Sequence, residues 1–414
     1  MAENIKEQLI VSQGISDYFQ GSTDLDANLE KLKAKIRELL NLKNVHFLFG
    51  SGTSCGAIPT MKGLFEQLTF NDDEADLEAE FKCIKDKCGN NLEECLNVMY
   101  SAQYYYSRLG AKELKLKRNI KISLLKYNKL IEKVQKHIFD SINIEFGSDK
   151  ANKVLEYYKT FYQKLALRNK DNSRIRVFTT NNDLFNETAL DSLNIHYING
   201  FSGGLKRFFN PALFNYTWSK RMDTSIDKYE PVENMVYLYK IHGSINWKQT
   251  SSLSNNFFDI EEISTPNNEH GAILIYPTPT KQEKSLGSPY LDLFREFQTK
   301  LLEPHSVLFV IGYSFSDCHV NDIIYRALAT NSTINVVIFG EKPNEIERDK
   351  KPIFFIDDKR VFIINGKLKD ADELKTVHHF EYIVNNLLPD LDTFSQEDNL
   401  LKSFVEKLKA ETNR

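Results

Sequence analysis

The chain is punctuated by short apolar runs: VHFLF at residues 45–49, then RIRVFTT, IHYING, VYLYKIHG, AILIYP, SVLFVIGYS, INVVIFG and RVFIING between residues 174 and 366. A run that is apolar at successive positions, rather than at alternate ones, is shielded on both faces when it forms a strand. Strands of that kind, with helical patterns between several of them, build a parallel sheet. With 414 residues the chain can bury a large core and form more than one lobe.

The expected fold class is therefore α/β: a Rossmann-like, mostly parallel sheet with a large helical insertion and a C-terminal helical tail. Leu25, Leu29, Leu32, Ile36 and Leu39 recur at helical spacing ahead of the first strand, with Ser22 or Thr23 expected as the cap. From about residue 64 to 170 strand signals almost vanish. There Ile120, Leu124, Tyr127, Ile131, Val134 and Ile138 mark one face of a helix, so this span reads as the insertion. The polar stretch from Thr250 to His270 reads as an exposed loop or hairpin. Beyond Gly366 two helices are expected, one carrying Leu374, Val377, Phe380 and Val384, the other Leu401, Phe404 and Leu408. The resulting division is an N-terminal helical segment (1–43), the central domain (44–345) and a C-terminal strand and helical tail (346–414).

Composition narrows the classes of function. A net charge of −4 gives no global field for nucleic acid. No segment has about 18 consecutive apolar residues, so no membrane span is expected. MAENIKEQLI lacks the apolar core of a signal peptide, and a cytoplasmic location is expected. The five cysteines, Cys55, Cys83, Cys88, Cys95 and Cys318, include no C-x-x-C pair. Reduced thiols, with buried helical positions for the middle three, are expected in place of a zinc site. The lysine-rich segment after residue 111, with Tyr104, Tyr105 and Tyr106 upstream, reads as a solvated helix face, with stacking on nucleic-acid bases as the sharper reading.

Open parallel sheets bind ligands beyond the carboxyl ends of their strands. Four strands here end in ligand-ready groups: Gly50-Ser51-Gly52-Thr53-Ser54, Thr179-Thr180-Asn181-Asn182-Asp183, His242-Gly243-Ser244 and Gly312-Tyr313-Ser314-Phe315-Ser316-Asp317. With Gly56 the first reads G-x-G-x-x-x-G, one residue too long for G-x-G-x-x-G, and no Gly-Lys-Ser/Thr follows. Spacing alone leaves it as either a nucleotide turn or a tight strand-to-helix turn.

Taken together, GSGTS with IPTMKG, TTNND, KIHGS and GYSFSD, in that order over residues 44 to 345, resemble the sirtuin superfamily. The departures point away from a protein deacetylase: the turn before Ile58 is short, Thr60-Met61-Lys62 replaces the usual Asp-Phe-Arg, and the zinc cysteines are absent. The chain looks more like the sirtuin-like, NAD-cleaving subunits of prokaryotic antiphage defence, in particular the stand-alone subunit paired with a HerA-like hexameric ATPase.

The resemblance implies NAD as the substrate, an NAD glycohydrolase giving nicotinamide and ADP-ribose, and no zinc. It implies a homo-oligomer gated by assembly with the ATPase, and it admits nucleic acid as a partner through that complex. Asn181 would position a water or the nicotinamide ribose, or form an Asx turn. Asp183 would meet the nicotinamide end, or begin the next helix. His242 would be the general base. Gly50, Ser51, Gly52, Thr53, Ser54, Thr180, Gly312 and Ser314 would bind the cofactor. Ser314 and Asp317 could instead start a helix, with Ser316 as its cap. Met61 and Lys62 occupy the positions that cover nicotinamide in relatives. The alternatives are a nucleic-acid-processing or sensing subunit with a structural pocket, and an ADP-ribosyl cyclase or transferase.

Overall fold

The computed structural model describes residues 7–59, 61–88, 92–110, 113–115, 121–166, 172–222, 228–232, 234–250, 260–266, 272–274, 289–370 and 373–389. Its centre is a 10-stranded sheet. Seven of its strands run parallel, in the order His196–Ile198, Met235–Lys240, Ile175–Thr179, Asn44–Phe49, Ser306–Ile311, Asn335–Phe339 and Val361–Asp370. The α/β class, with its mostly parallel sheet, is the architecture that the apolar runs dictate.

Side-chain alternation feeds two cores. Phe47, Phe49, Val177 and Phe309 face one side of the sheet, while Leu48, Phe178, Leu308 and Val310 face the other. Each such buried side chain contributes about 1.5–3 kcal/mol. The first face is covered by the Leu25–Leu40 and Asp149–Leu165 helices, the second by Tyr290–Leu301 and Cys318–Thr330. From Asn44–Phe49 the chain moves to Ile175–Thr179 on one side, and later returns through Ser306–Ile311 on the other. The strand order therefore reverses between Asn44–Phe49 and Ser306–Ile311, where the carboxyl ends open a crevice.

Several local expectations need correction. Gln8–Gln13 adds an antiparallel strand to Val361–Asp370. The first helix is capped by Asp24, whose Oδ1 accepts from the Ala27 N–H at 3.1 Å, rather than by Ser22 or Thr23. AILIYP does not join the parallel sheet: Ala272–Leu274 pairs antiparallel with Gly243–Gln249 in a separate five-stranded sheet. Ile260–Glu262 pairs with the same strand, so the described part of the Thr250–His270 stretch contributes a hairpin arm.

The insertion is helical, with Ala75–Lys87, Leu92–Arg108 and Leu124–Ile142 around a core of their own. It also carries a small hairpin, Glu113–Lys115 with Lys121–Ser123, so the helix there begins at Leu124, capped by Ser123. Ile120 lies outside the described residues. In the C-terminal region Leu374 belongs to Glu373–Thr376, a strand antiparallel to Val361–Asp370. Among the described residues beyond Gly366, Phe380–Tyr382 and Ile383–Leu387 are helical, and the helix expected at Leu401, Phe404 and Leu408 lies outside the described residues. No helix among the described residues is long and apolar enough to cross a membrane.

Candidate active site

At the point of strand reversal the two glycine-bearing strand ends press backbone against backbone. Gly50 N donates to Ile311 O at 3.0 Å and Gly52 N to Gly312 O at 2.9 Å. A Cβ on Gly50 would lie 2.5 Å from Gly312 O, and one on Gly52 2.6 Å from Gly312 Cα. Gly312 has φ +66°, and its own Cβ would lie 2.6 Å from Thr53 N. The space the glycines leave is thus filled by the opposite strand end, and their absent side chains close the crevice floor. Ser51 and Ser314 stay exposed on either rim, with Gly52 and Gly312 half-buried between them.

Thr53 and Ser54 turn inward instead. Both are buried, and both meet the Tyr158 hydroxyl, at 2.7 Å and 3.2 Å. Asn181 is 7% exposed, and its Nδ2 donates to Thr53 Oγ1 at 3.0 Å and Ser54 Oγ at 3.2 Å. Ser54 Oγ donates to Asp183 Oδ2 at 2.7 Å, while Asp183 Oδ1 accepts from Phe185 N at 3.1 Å. Asp183 therefore braces the turn ahead of the Phe185–Ser192 helix, whose N-cap is Leu184, and also joins the turn of the first strand to that of the second. Burial raises its carboxyl above the usual range, against the pull of Lys240, Ser54 and the Phe185 N–H. Thr180 ties the same two strands, its N–H and hydroxyl both reaching Phe49 O.

The third strand end is joined by Asn182, whose Nδ2 donates to His242 O at 2.7 Å and Gly243 O at 3.1 Å. Beneath this junction lies a buried cation. Lys240 is 2% exposed, and its Nζ donates to the Asp183 carbonyl and pairs with Glu187 Oε1 at 2.9 Å. Burial raises the Glu187 carboxyl, opposed chiefly by Lys240. Sequence reasoning missed both Lys240 and Tyr158. Lysine inside the apolar run VYLYK is the signal for the first. Tyr158 carries no local signal: its place on the apolar stripe Val154, Tyr158, Phe161 and Leu165 marks only a core position.

His242 follows directly, its side chain 13% exposed, with the imidazole centroid 6.4 Å from the Phe294 ring. Its Nε2 lies 2.9 Å from Asp317 Oδ2. The contact is close enough for an ion pair, and the Asp317 carboxylate is the group that Nε2 faces. Asp317, not Ser316, caps the Cys318–Thr330 helix, its Oδ1 accepting from His319 N at 2.8 Å and Val320 N at 3.2 Å. Burial would raise its carboxyl, yet His242 and these two N–H groups outweigh that and lower it to about 2. Ser316 Oγ instead meets Ser314 Oγ at 2.7 Å.

Met61 opens the Met61–Gln67 helix, and the side chains of Met61 and Lys62 lie outside the described residues. His305 N donates to Thr333 Oγ1, and His378 Nδ1 faces Asn365 Oδ1 at 3.0 Å in a turn rather than a helix. Cys95 is buried, Cys88 half-buried and Cys83 exposed. Among the described residues no group of three or more His, Cys, Asp or Glu could hold a metal ion.

Four strand ends thus meet at one crevice, with exposed hydroxyls on the rims, glycine backbone between them and an imidazole paired with a carboxylate. That donor set fits a polar nucleotide with sugar and phosphate groups, and Ser51, Gly52, Gly312 and Ser314 are the residues that would hold it. No curated protein matches the chain. Residues 175–364, which span the TTNND, KIHGS and GYSFSD strand ends, match the family model of the SIR2-like domain, a likeness over that part of the chain that fits a use of NAD.

Proposed function

We propose that this protein is an NAD glycohydrolase, cleaving the bond between nicotinamide and ribose to release nicotinamide and ADP-ribose. The observation that carries the reading is the position of His242: at a strand end beside the point where the strand order reverses, with its imidazole set against the Asp317 carboxylate. The bond joins ribose to a cationic leaving group and breaks through an oxocarbenium-like transition state, so the enzyme must fix the sugar and aim a nucleophile. His242 takes a proton from water or a ribose hydroxyl. The Asn181 amide nitrogen is engaged by Thr53 and Ser54, which leaves its Oδ1 as the acceptor for a ribose hydroxyl or the attacking water. Both Asp183 oxygens are used within the protein, which favours holding the turn over touching nicotinamide.

Unchecked NAD cleavage would harm the cell that makes this protein, so the activity needs a gate. The resemblance of its motifs to the stand-alone defence subunits supports a cytoplasmic antiphage effector, homo-oligomeric and switched by a HerA-like hexameric ATPase.

The test incubates the purified protein with NAD, alone and with a HerA-like hexameric ATPase, and separates the products. Nicotinamide and ADP-ribose in equal amounts are expected. A cyclic product or protein-bound ADP-ribose would redirect the reading to a cyclase or transferase. No nicotinamide under either condition, with NAD still bound, would end the enzyme reading in favour of a sensing role.

A further inference from the structure

Asp317 divides its two oxygens between two tasks. Oδ1 takes the His319 and Val320 N–H groups at the start of its helix. Oδ2 is directed at His242 Nε2, 2.9 Å away. An N-cap needs only the first contact, and serine or asparagine fills that role equally well.

The turn that delivers Asp317 is held in a costly conformation. Phe315 has φ +56°, a backbone region that a bulky residue rarely adopts. It persists because its ring is buried against Phe354 and because Asn321 grips the turn, Nδ2 donating to Phe315 O at 3.0 Å and Oδ1 accepting from the Tyr313 hydroxyl at 3.0 Å. Such over-determined strain belongs where a side chain must be aimed.

The other charged groups near His242 are committed elsewhere. Lys240 on the same strand pairs with Glu187, and Asp183 on the neighbouring strand end accepts from Ser54 and Phe185. The Tyr290–Leu301 helix turns Phe294 toward the imidazole. Among the described residues Asp317 carries the one carboxylate within ion-pair reach of His242.

We infer that Asp317 is a positioning residue for His242: its Oδ2 holds a proton on Nε2 and so leaves Nδ1 as the ring nitrogen with the lone pair that acts as base. A carboxylate accepts but cannot donate, so it selects the Nε2–H tautomer. An asparagine amide at the same place can donate to Nε2 and selects the opposite one. This inference rests on the glycohydrolase reading for its catalytic consequence, but not for the tautomer.

The experiment uses the full-length protein with ¹⁵N-labelled histidine, His242→Gln identifying the resonances. Proton–nitrogen correlation of the neutral ring is expected to give the Nε2–H form in the wild type and the Nδ1–H form in Asp317→Asn. Where nicotinamide release is measurable, kcat of Asp317→Asn should fall by about 10²–10⁴-fold with KM changed by less than about 3-fold. The variant should stay folded, because the cap is kept, with a melting temperature lowered by a few degrees through loss of the ion pair to His242. If Asp317→Asn does not fold, Asp317→Ser keeps the cap without the charge, and its ring should lose the Nε2–H preference. An unchanged tautomer in the folded variant overturns the inference, whatever happens to kcat. A wild-type protein that releases no nicotinamide defeats the glycohydrolase reading, while the tautomer still decides the role of Asp317.

Discussion

Replacing Gly312 by alanine tests whether the crevice floor is a backbone-to-backbone contact. Gly312 has φ +66°, and an alanine there adopts the left-handed region at a cost of about 1–2 kcal/mol. Its Cβ would lie 2.6 Å from Thr53 N and 2.8 Å from both Gly52 Cα and Gly52 C. These are backbone atoms of a strand end, with no flexible side chain to swing away. Relief therefore requires the two strand ends to part by several tenths of an ångström, an overpacking cost of about 1–3 kcal/mol. Parting them also stretches the 2.9 Å hydrogen bond from Gly52 N to Gly312 O, worth about 1 kcal/mol. The total is a loss of roughly 3–5 kcal/mol, allowing for overlap among the three terms. Gly340→Ala is the control: the nearest atom to its Cβ is Ile338 Cγ2 at 3.7 Å, so its effect should stay below about 1 kcal/mol. Urea unfolding followed by the fluorescence of buried Trp247 compares the variants on one scale. Equal midpoints for Gly312→Ala and Gly340→Ala would refute the reasoning.

Removing one partner of the buried Lys240–Glu187 pair strands a charge. Glu187→Ala should cost about 3–5 kcal/mol in urea unfolding, and Lys240→Met with Glu187→Leu should recover at least half of that loss. Asp317 binds its proton less readily in the fold than in the open chain, about 2 against 3.8. Its contribution, about 2 kcal/mol, is present above pH 3.8 and is lost as the pH falls through 3.8 toward 2. The stability gap between wild type and Asp317→Asn should therefore narrow on acidification between pH 5 and pH 3, and a constant gap would contradict the assignment. Burial, reinforced by Cys88, pushes the Cys95 thiol up to about 12, whereas Cys55, Cys83 and Cys318 are exposed. A disulfide reagent should label those three in the native protein and reach Cys95 only on unfolding.

What the sequence reveals follows what it encodes locally. The parallel strands were legible because burial on both faces removes polar residues from the run, and RIRVFTT or SVLFVIGYS keeps that mark wherever it sits. The polar strand ends were legible for the complementary reason: TTNND and KIHGS break the apolar pattern abruptly. Pairing direction was not legible. AILIYP looks like its parallel neighbours, yet joins a second, antiparallel sheet, because its partner Gly243–Gln249 is chosen by tertiary packing. Leu374 fits a helical stripe, but the antiparallel edge of Val361–Asp370 captures that segment as a strand. In the site, Tyr158 arrives from a helix more than a hundred residues after the hydroxyls it meets, at |i−j| of 105 and 104. Asp317 was legible as a helix start; its approach to His242 depends on the strained turn at Phe315.

The central claim is that NAD is cleaved in the crevice at His242. The most direct test is nicotinamide release by wild type, His242→Ala and Asn181→Ala, measured under the condition in which the wild type is active and with melting temperatures recorded alongside. The account predicts release by the wild type and a loss of at least about 100-fold in each variant, with folding retained. Release that continues undiminished in a folded His242→Ala protein would contradict it.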